Sequence, residues 1–218
     1  MKTIKGNITI FLACAITCAF VFAVSAKASL LYNDPNAMTG FAGTTAFSIT
    51  VSTVSLKGNI DYAVYAPGTY PGLNLRGCGE YIYAYQIFFS PKDNVAIDFF
   101  SVGISNGATI NNIYTDNTYG FWPGSGIDPS LSNIFAQSVG FIFADPSLDL
   151  RDWSNVLIFT SAYSPTMGFG TISGGGASGM AALPTPSMSP VPEPATIALL
   201  LPAILIFKPN RREISQAK

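Results

Sequence analysis

The sequence predicts an all-β fold: a single antiparallel β-sandwich, jelly-roll-like, flanked by an N-terminal signal peptide and a short hydrophobic C-terminal helix. Three observations carry that expectation. The central region is poor in Lys, Arg, Glu and Gln and rich in Tyr, Phe, Ile, Val, Thr, Ser and Gly, a balance that favours strands over helices. Its apolar residues alternate with period two. Polar turns containing Gly and Pro punctuate the alternating runs, and no amphipathic helix interrupts them.

The first element, residues 1–28, reads as a secretory leader. Lys2 and Lys5 precede an apolar stretch from Ile8 to Val24, and Ser25-Ala26-Lys27-Ala28 follows. A charged start, an apolar middle and small residues at the cleavage site are what signal peptidase and the Sec translocon require. Cleavage is placed after Ala28, with Ala26 as the alternative. An uncleaved anchor is the competing reading, because the apolar stretch has nearly enough residues to span. Cys14 and Cys18 fall inside it, but neither follows a small-residue box of the kind a lipoprotein needs.

Residues 29–172 form the predicted sandwich, long enough for one domain with a real core. Candidate strands are Phe47–Leu56, Asn59–Tyr65, Tyr81–Phe89, Val95–Ile104, Val139–Phe143 and Asn155–Thr160. In Asn59–Tyr65, Ile60, Tyr62 and Val64 share one face. In Tyr81–Phe89, Tyr81, Tyr83, Tyr85, Ile87 and Phe89 share one face, with Ile82, Ala84, Gln86 and Phe88 opposite. Pro67-Gly68, Pro91–Asn94 and Ser105–Gly107 supply turns between them. Many short strands joined by polar turns suit an antiparallel sandwich.

From Ser173 the texture changes to Gly, small residues and repeated Pro with Ser or Thr. Residues 173–190 therefore read as a linker that builds no core, its Pro-rich half extended.

The last element spans residues 191–212. Pro192-Glu193-Pro194 leads into the apolar run Ala195–Phe207, which Lys208, Arg211 and Arg212 close. A helix of that run covers roughly 20 Å, short of a ~30 Å hydrocarbon core. Counting from Val191 and letting the basic side chains snorkel brings it nearer. The basic cluster would hold its end in the cytoplasm, making residues 213–218 a cytoplasmic tail and leaving the domain on the outer side of the inner membrane. A buried helix of a soluble domain is the alternative.

Val191, Pro192, Glu193 and Pro194, with the apolar run and basic cluster after them, resemble the sorting signal of PEP-CTERM proteins. Pro202, where the family usually has Gly or Leu, and the Lys208-Pro209-Asn210 interruption depart from its pattern. The resemblance implies recognition by the membrane protease exosortase, cutting near the Pro-Glu-Pro motif, and only a transient stay in the inner membrane. Segments Asp61–Gly68, Tyr83–Ile87 and Phe100–Gly103 look like a recurrent body type attached to such tails. That likeness implies a β-rich fold and no particular activity.

Charge and side-chain inventory narrow the function. Between Ser29 and Pro194 four cations (Lys57, Arg76, Lys92, Arg151) face eleven anions, a net charge of −7. Nucleic acid is thus not an expected partner, because phosphate contacts need clustered Lys and Arg. The sequence has no histidine, which removes histidine-based nucleophile activation, proton shuttling and zinc ligation. Cys78 is the lone cysteine of the predicted domain and has no internal disulfide partner there.

Carboxylates leave weaker candidates. Asp145, Asp149 and Asp152, or Asn111, Asn112, Asp116 and Asn117, could gather calcium ligands, although neither set has EF-hand spacing; solvated turns are the simpler reading. A glycosidase needs two carboxyl groups about 5–9 Å apart, and spacing in sequence nominates no pair. Asp98, between Ile97 and Phe99, is expected at the surface or capping a neighbouring strand. Aromatics offer Tyr119, Phe121 and Trp122, in a Gly-containing loop, as candidate sugar-stacking residues, whereas Tyr81, Tyr83 and Tyr85 are assigned to packing.

The sequence therefore predicts an exported, non-enzymatic structural or adhesive component of the envelope or exopolysaccharide matrix. It would be anchored briefly in the inner membrane and end at the cell surface or in the matrix. No catalytic residue, metal site or cofactor is nominated. The alternatives are a lectin-like carbohydrate-binding module, with or without calcium, and a glycan-cleaving enzyme.

Overall fold

The structure, a computed structural model, describes residues 31–72, 75, 78–89, 95–105, 107–120, 125–144, 147, 148 and 152–188. The predicted leader (1–28), the sorting signal (191–212) and its hydrophobic helix lie outside the described residues.

A 3-10 turn, Leu31–Asn33, precedes ten strands: β1 (Ala42–Val51), β2 (Val54–Tyr65), β3 (Tyr81–Phe89), β4 (Phe99–Gly103), β5 (Asn112–Asp116), β6 (Leu131–Phe135), β7 (Ser138–Ile142), β8 (Val156–Ser161), β9 (Pro165–Gly174) and β10 (Ala177–Pro186). They form two antiparallel five-stranded sheets, ordered β1-β2-β3-β8-β5 and β10-β9-β4-β7-β6. The chain changes sheet after β3, β4, β5, β7 and β8, so the two sheets are wound together as in a jelly roll.

Alternation along β3 shows how sequence sets this packing. Tyr83, Tyr85, Ile87 and Phe89 enter the space between the sheets, where they join Phe100, Phe141, Phe159, Ile172 and Leu183. Tyr83 stacks on Phe159 at 4.9 Å, and Tyr85 meets Phe100 at 5.9 Å. The fully buried Tyr85 donates its hydroxyl to the Pro184 carbonyl at 2.5 Å, which ties the first sheet to the last strand of the second.

The other face of β3 is buried too. Ile82 and Ala84 pack with Leu31, Ala63, Tyr65, Tyr70, Leu75, Val156 and Ile158 in a second apolar cluster on the outside of the first sheet. The segment before β1 and the β2–β3 connection supply its cover. Both faces of this sheet thus read apolar in sequence.

Three expectations need correction. Phe47–Leu56 is not one strand: a two-residue turn at Ser52-Thr53 joins Val51 to Val54, making β1 and β2 a long hairpin. Val95–Ile104 shrinks to Phe99–Gly103, with Ile97 making a single bridge to Leu148. The linker expected from Ser173 is instead the end of β9 and all of β10, and these two strands pair without a break from Pro165 to Pro186.

Each feature that suggested a linker has a place in that hairpin. Gly175 and Gly176 form its turn, with φ of 56° and 82°, the positive values that a two-residue hairpin turn of type I′ demands. Ala177, Ala181 and Leu183 point into the core. Pro184 and Pro186 are tolerated because β10 is an edge strand, where a missing N–H costs no ladder bond. The domain therefore runs through Pro186. Strands β5, β6, β9 and β10 had no counterpart among the sequence candidates.

Candidate functional site

Polar chemistry gathers first on the outer side of the first sheet, where two aspartates act as hubs. Asp34 accepts the Asn36 N–H at 2.9 Å and the Tyr65 hydroxyl at 2.6 Å, and the Tyr119 hydroxyl also donates to it. Asp116 accepts the Thr118 N–H at 2.7 Å and the Tyr70 hydroxyl at 2.8 Å. In each case the acid sits two residues before the amide it caps, an Asx turn. Tyr65, Tyr70 and Tyr119 stack edge to face, at 5.0 and 5.7 Å. Burial pushes the Tyr65 and Tyr70 hydroxyls well above the usual tyrosine pKa, and the neighbouring carboxylates push the same way. The cluster is a clasp that holds the covering loops on the sheet.

Tyr119, named above as a sugar-stacking candidate, is half-buried, with its hydroxyl and ring engaged in the clasp. Phe121 and Trp122 lie outside the described residues. Asp116 accepts its bonds within the clasp, and Asn111 donates to Glu80. Among the described residues no three His, Cys, Asp or Glu side chains converge to hold a metal. Asp145 and Asp149 lie outside that set. Asp98 is exposed and its carboxylate caps the β9–β10 turn, accepting the Gly175 N–H at 3.2 Å. Cys78 is a half-buried free thiol against the second cluster.

Asp61 sits beside this region on β2, buried, between Thr44 and Gln86 in strand register. Desolvation raises its pKa, and a hydrogen bond from Thr44 offsets part of that rise. A raised folded-state pKa means that Asp61 contributes most below the unfolded value of about 4 and costs stability once ionised. Asp61→Asn is expected to stabilise the fold at neutral pH and to lose that advantage below about pH 4. Urea denaturation at both pH values measures the difference; an Asn variant less stable at neutral pH would show that the carboxylate is needed as an anion.

The outer face of the second sheet has a different character. Register aligns its outward side chains in rows across the five strands. One row runs Ser178, Ser173, Phe99, Ile142, Leu131; the next Met180, Thr171, Ser101, Gly140, Asn133; the third Ala182, Phe169, Gly103, Ser138, Phe135. Pro184 and Met167 begin a fourth. None of these positions carries a charge. Phe169 is 59% and Met180 66% exposed, with Leu131, Phe135 and Met167 also exposed. Phe99 and Phe135 meet edge to face at 6.4 Å above Gly140, where a Cβ would strike both rings.

Across this face runs an open groove of about 410 Å³. Ser101, Gly103, Ser138 and Thr171 line it, and Thr185, Ile104, Phe169 and Met180 also border it. No protein-family model, curated protein or solved structure matches this chain. The groove must therefore be judged on its own chemistry. The hydroxyls of Ser101, Ser138, Thr171 and Thr185 make no hydrogen bond to another described residue. The walls thus offer unspent donors and acceptors beside an exposed ring.

These residues escaped the sequence because they come from separate strands that only the fold aligns. One local signal was present: Met167, Phe169, Thr171 and Ser173 alternate with Gly168, Gly170 and Ile172. No helix among the described residues is long and apolar enough to cross a membrane.

Proposed function

We propose that the chain is an exported, non-enzymatic binding module. In this proposal residues 1–28 direct it through the Sec translocon, and the tail at residues 191–212 hands it from the inner membrane to an exosortase. The sandwich then serves as a structural or adhesive component of the envelope or exopolysaccharide matrix.

The observation that carries the adhesive role is the uncharged outer face of the second sheet, set in a region whose net charge is −7. The acidic remainder keeps the module soluble and repels other anionic surfaces. A contiguous face with exposed Phe, Leu and Met marks an interaction site. A lectin-like role is the second reading, favoured by the unspent hydroxyls of the groove. The sorting half rests on Val191–Pro194 with Lys208, Arg211 and Arg212.

Separate experiments address the halves. In cells that contain an exosortase, Glu193→Ala in the full-length chain is expected to leave the precursor in the inner-membrane fraction and deplete the processed surface form. Unchanged processing would overturn the sorting half. For the binding half, purified chain should be retained on native matrix polysaccharide and leave it uncut, with calcium or with chelator. Turnover of the polysaccharide would replace the module with an enzyme, and no retention would remove the adhesive role.

A further inference from the structure

We infer that the groove across β7, β4, β9 and β10 binds a neutral polysaccharide chain, with Phe169 stacking on a sugar ring and Ser101, Thr171 and Ser138 bonding its hydroxyls. The inference rests on the binding-module reading and adds to it a place, a ligand class and the residues responsible.

Three properties of the groove select that ligand. The first is its lack of charge. Among the described residues no Asp, Glu, Lys or Arg lines it, while the chain between Ser29 and Pro194 carries a net charge of −7. An anionic polymer would meet repulsion without a compensating cation, and a cationic one would find no partner in the groove. Charge complementarity therefore favours a neutral occupant.

The second property is its unspent hydroxyls. Ser101, Ser138, Thr171 and Thr185 line the groove without bonds to other described residues. Covering them with a lipid or an apolar protein surface would strip their water and return nothing, an unfavourable exchange for each group. A second copy pressing the same face onto this one would leave much of that demand unmet. A polyhydroxylated chain returns a hydrogen bond to each.

The third property is shape. The volume of about 410 Å³ lies within the range of small-ligand sites, yet the groove is open and not an enclosed pocket. It can therefore hold a few consecutive residues of a chain that continues past both ends. Phe169 at its border is exposed enough to cover the C–H face of a pyranose, the apolar side that a sugar presents next to its hydroxyls. The exposed thioether of Met180, two residue pairs along the β9–β10 ladder, can adapt to a neighbouring ring.

The test uses the full chain in detergent and isothermal titration against soluble polysaccharides. The panel holds two neutral polymers, a β-glucan and a galactomannan, and one anionic polyuronate, each at low and high salt. At least one neutral polymer is expected to bind, with a Kd that changes by less than about twofold with salt. Phe169→Ala should weaken binding roughly tenfold, and Thr171→Arg should abolish it by filling the groove. Thr171→Val keeps shape and strand propensity, so a weakening there isolates the lost hydroxyl even if the Arg variant folds poorly. Tyr32→Ala, an exposed aromatic in the turn before β1, should change nothing.

Three results would overturn the inference: no binding of either neutral polymer, binding only of the polyuronate with loss in salt, or full binding by Phe169→Ala and Thr171→Val in a folded chain. A dimer dispersed by Thr171→Arg would also overturn it, by giving the face to a second copy. If matrix retention survives while the groove variants have no effect, the groove is wrong and the module stands; if retention itself is absent, the module fails as well.

Discussion

A chain that stops after Ile172 is expected not to fold, whereas one that stops after Met188 folds fully. Circular dichroism and cooperative urea unfolding of the two truncations measure this. The first truncation removes β10 with its inward Ala177, Ala181 and Leu183 and frees a long edge of β9. It uncovers Ile172 and Phe100 in the core and leaves the buried Tyr85 hydroxyl without the Pro184 carbonyl. An unsatisfied buried hydroxyl costs ~1–3 kcal/mol, and exposing a leucine-sized side chain costs ~1.5–3 kcal/mol. These losses, with the lost ladder, consume most of a total stability of about 5–15 kcal/mol. Cooperative unfolding of the shorter chain would show that β10 is an accessory strand and return residues 173–186 to the role of a spacer.

Asp34→Ala is expected to cost about 3–5 kcal/mol, the largest effect of any single substitution outside the main core. The carboxylate is buried and accepts hydrogen bonds from Asn36, Tyr65 and Tyr119. Removing it strands two tyrosine hydroxyls, one of them fully buried, and releases the turn before β1 from the sheet. Asp34→Asn keeps one carbonyl acceptor and should cost roughly half as much. A double-mutant cycle isolates the clasp: Tyr65→Phe should destabilise the wild-type chain by ~1 kcal/mol and be nearly neutral in the Asp34→Ala background. Equal costs in both backgrounds would mean that the tyrosine and the acid act independently, and a total cost below ~1 kcal/mol for Asp34→Ala would dismiss the clasp as a determinant of stability.

How much of this was legible depended on whether a signal was local. Strand β3 appears in the sequence with its observed bounds, because Tyr83, Tyr85 and Ile87 are large, alternating and flanked by turn residues. The placement of Tyr83 and Tyr85 in the core followed from the same pattern; Asp98, expected at the surface or capping a neighbouring strand, is exposed and caps the β9–β10 turn. Strand β10 was invisible for the opposite reason. Its inward positions include Ala and Gly, because Gly179 packs against Ile49, where any Cβ would collide with that side chain. Small residues between Gly and Pro look like a linker unless a facing element is known. Strands β5 and β6 are five residues long and mostly exposed, so no apolar period marks them.

The second apolar cluster was hidden because its parts, Leu31, Tyr70 and Leu75, come from connections where no periodicity exists. The uncharged face is the clearest case. Each of its three full rows draws on five strands, from β10 to β6, and only the register sets Phe169 near Gly103 and Phe135 near Ser138. The Thr118–Gly126 loop attracted notice in sequence because its aromatics are adjacent in the chain. Tyr119 sits half-buried in the clasp, while the exposed ring beside the groove belongs to a strand.

The position of β10 has a mechanical side. Its last residue, Pro186, pairs with the first residue of β9, so the hairpin opens toward the chain that continues beyond Met188. Tension entering from that side, with the second sheet held at its outer face, would load the ladder at its open end. Bonds in that geometry yield one after another and do not share the force as they would in shear. The first to feel it are Ser187 N–H to the Ser164 carbonyl, at 2.9 Å, and Ser105 N–H to the Pro186 carbonyl, at 3.3 Å. Resistance at this corner would then come from Tyr85, whose grip on Pro184 lies two residues inside, making one tyrosine the ratchet between a tugged tether and an opened sandwich.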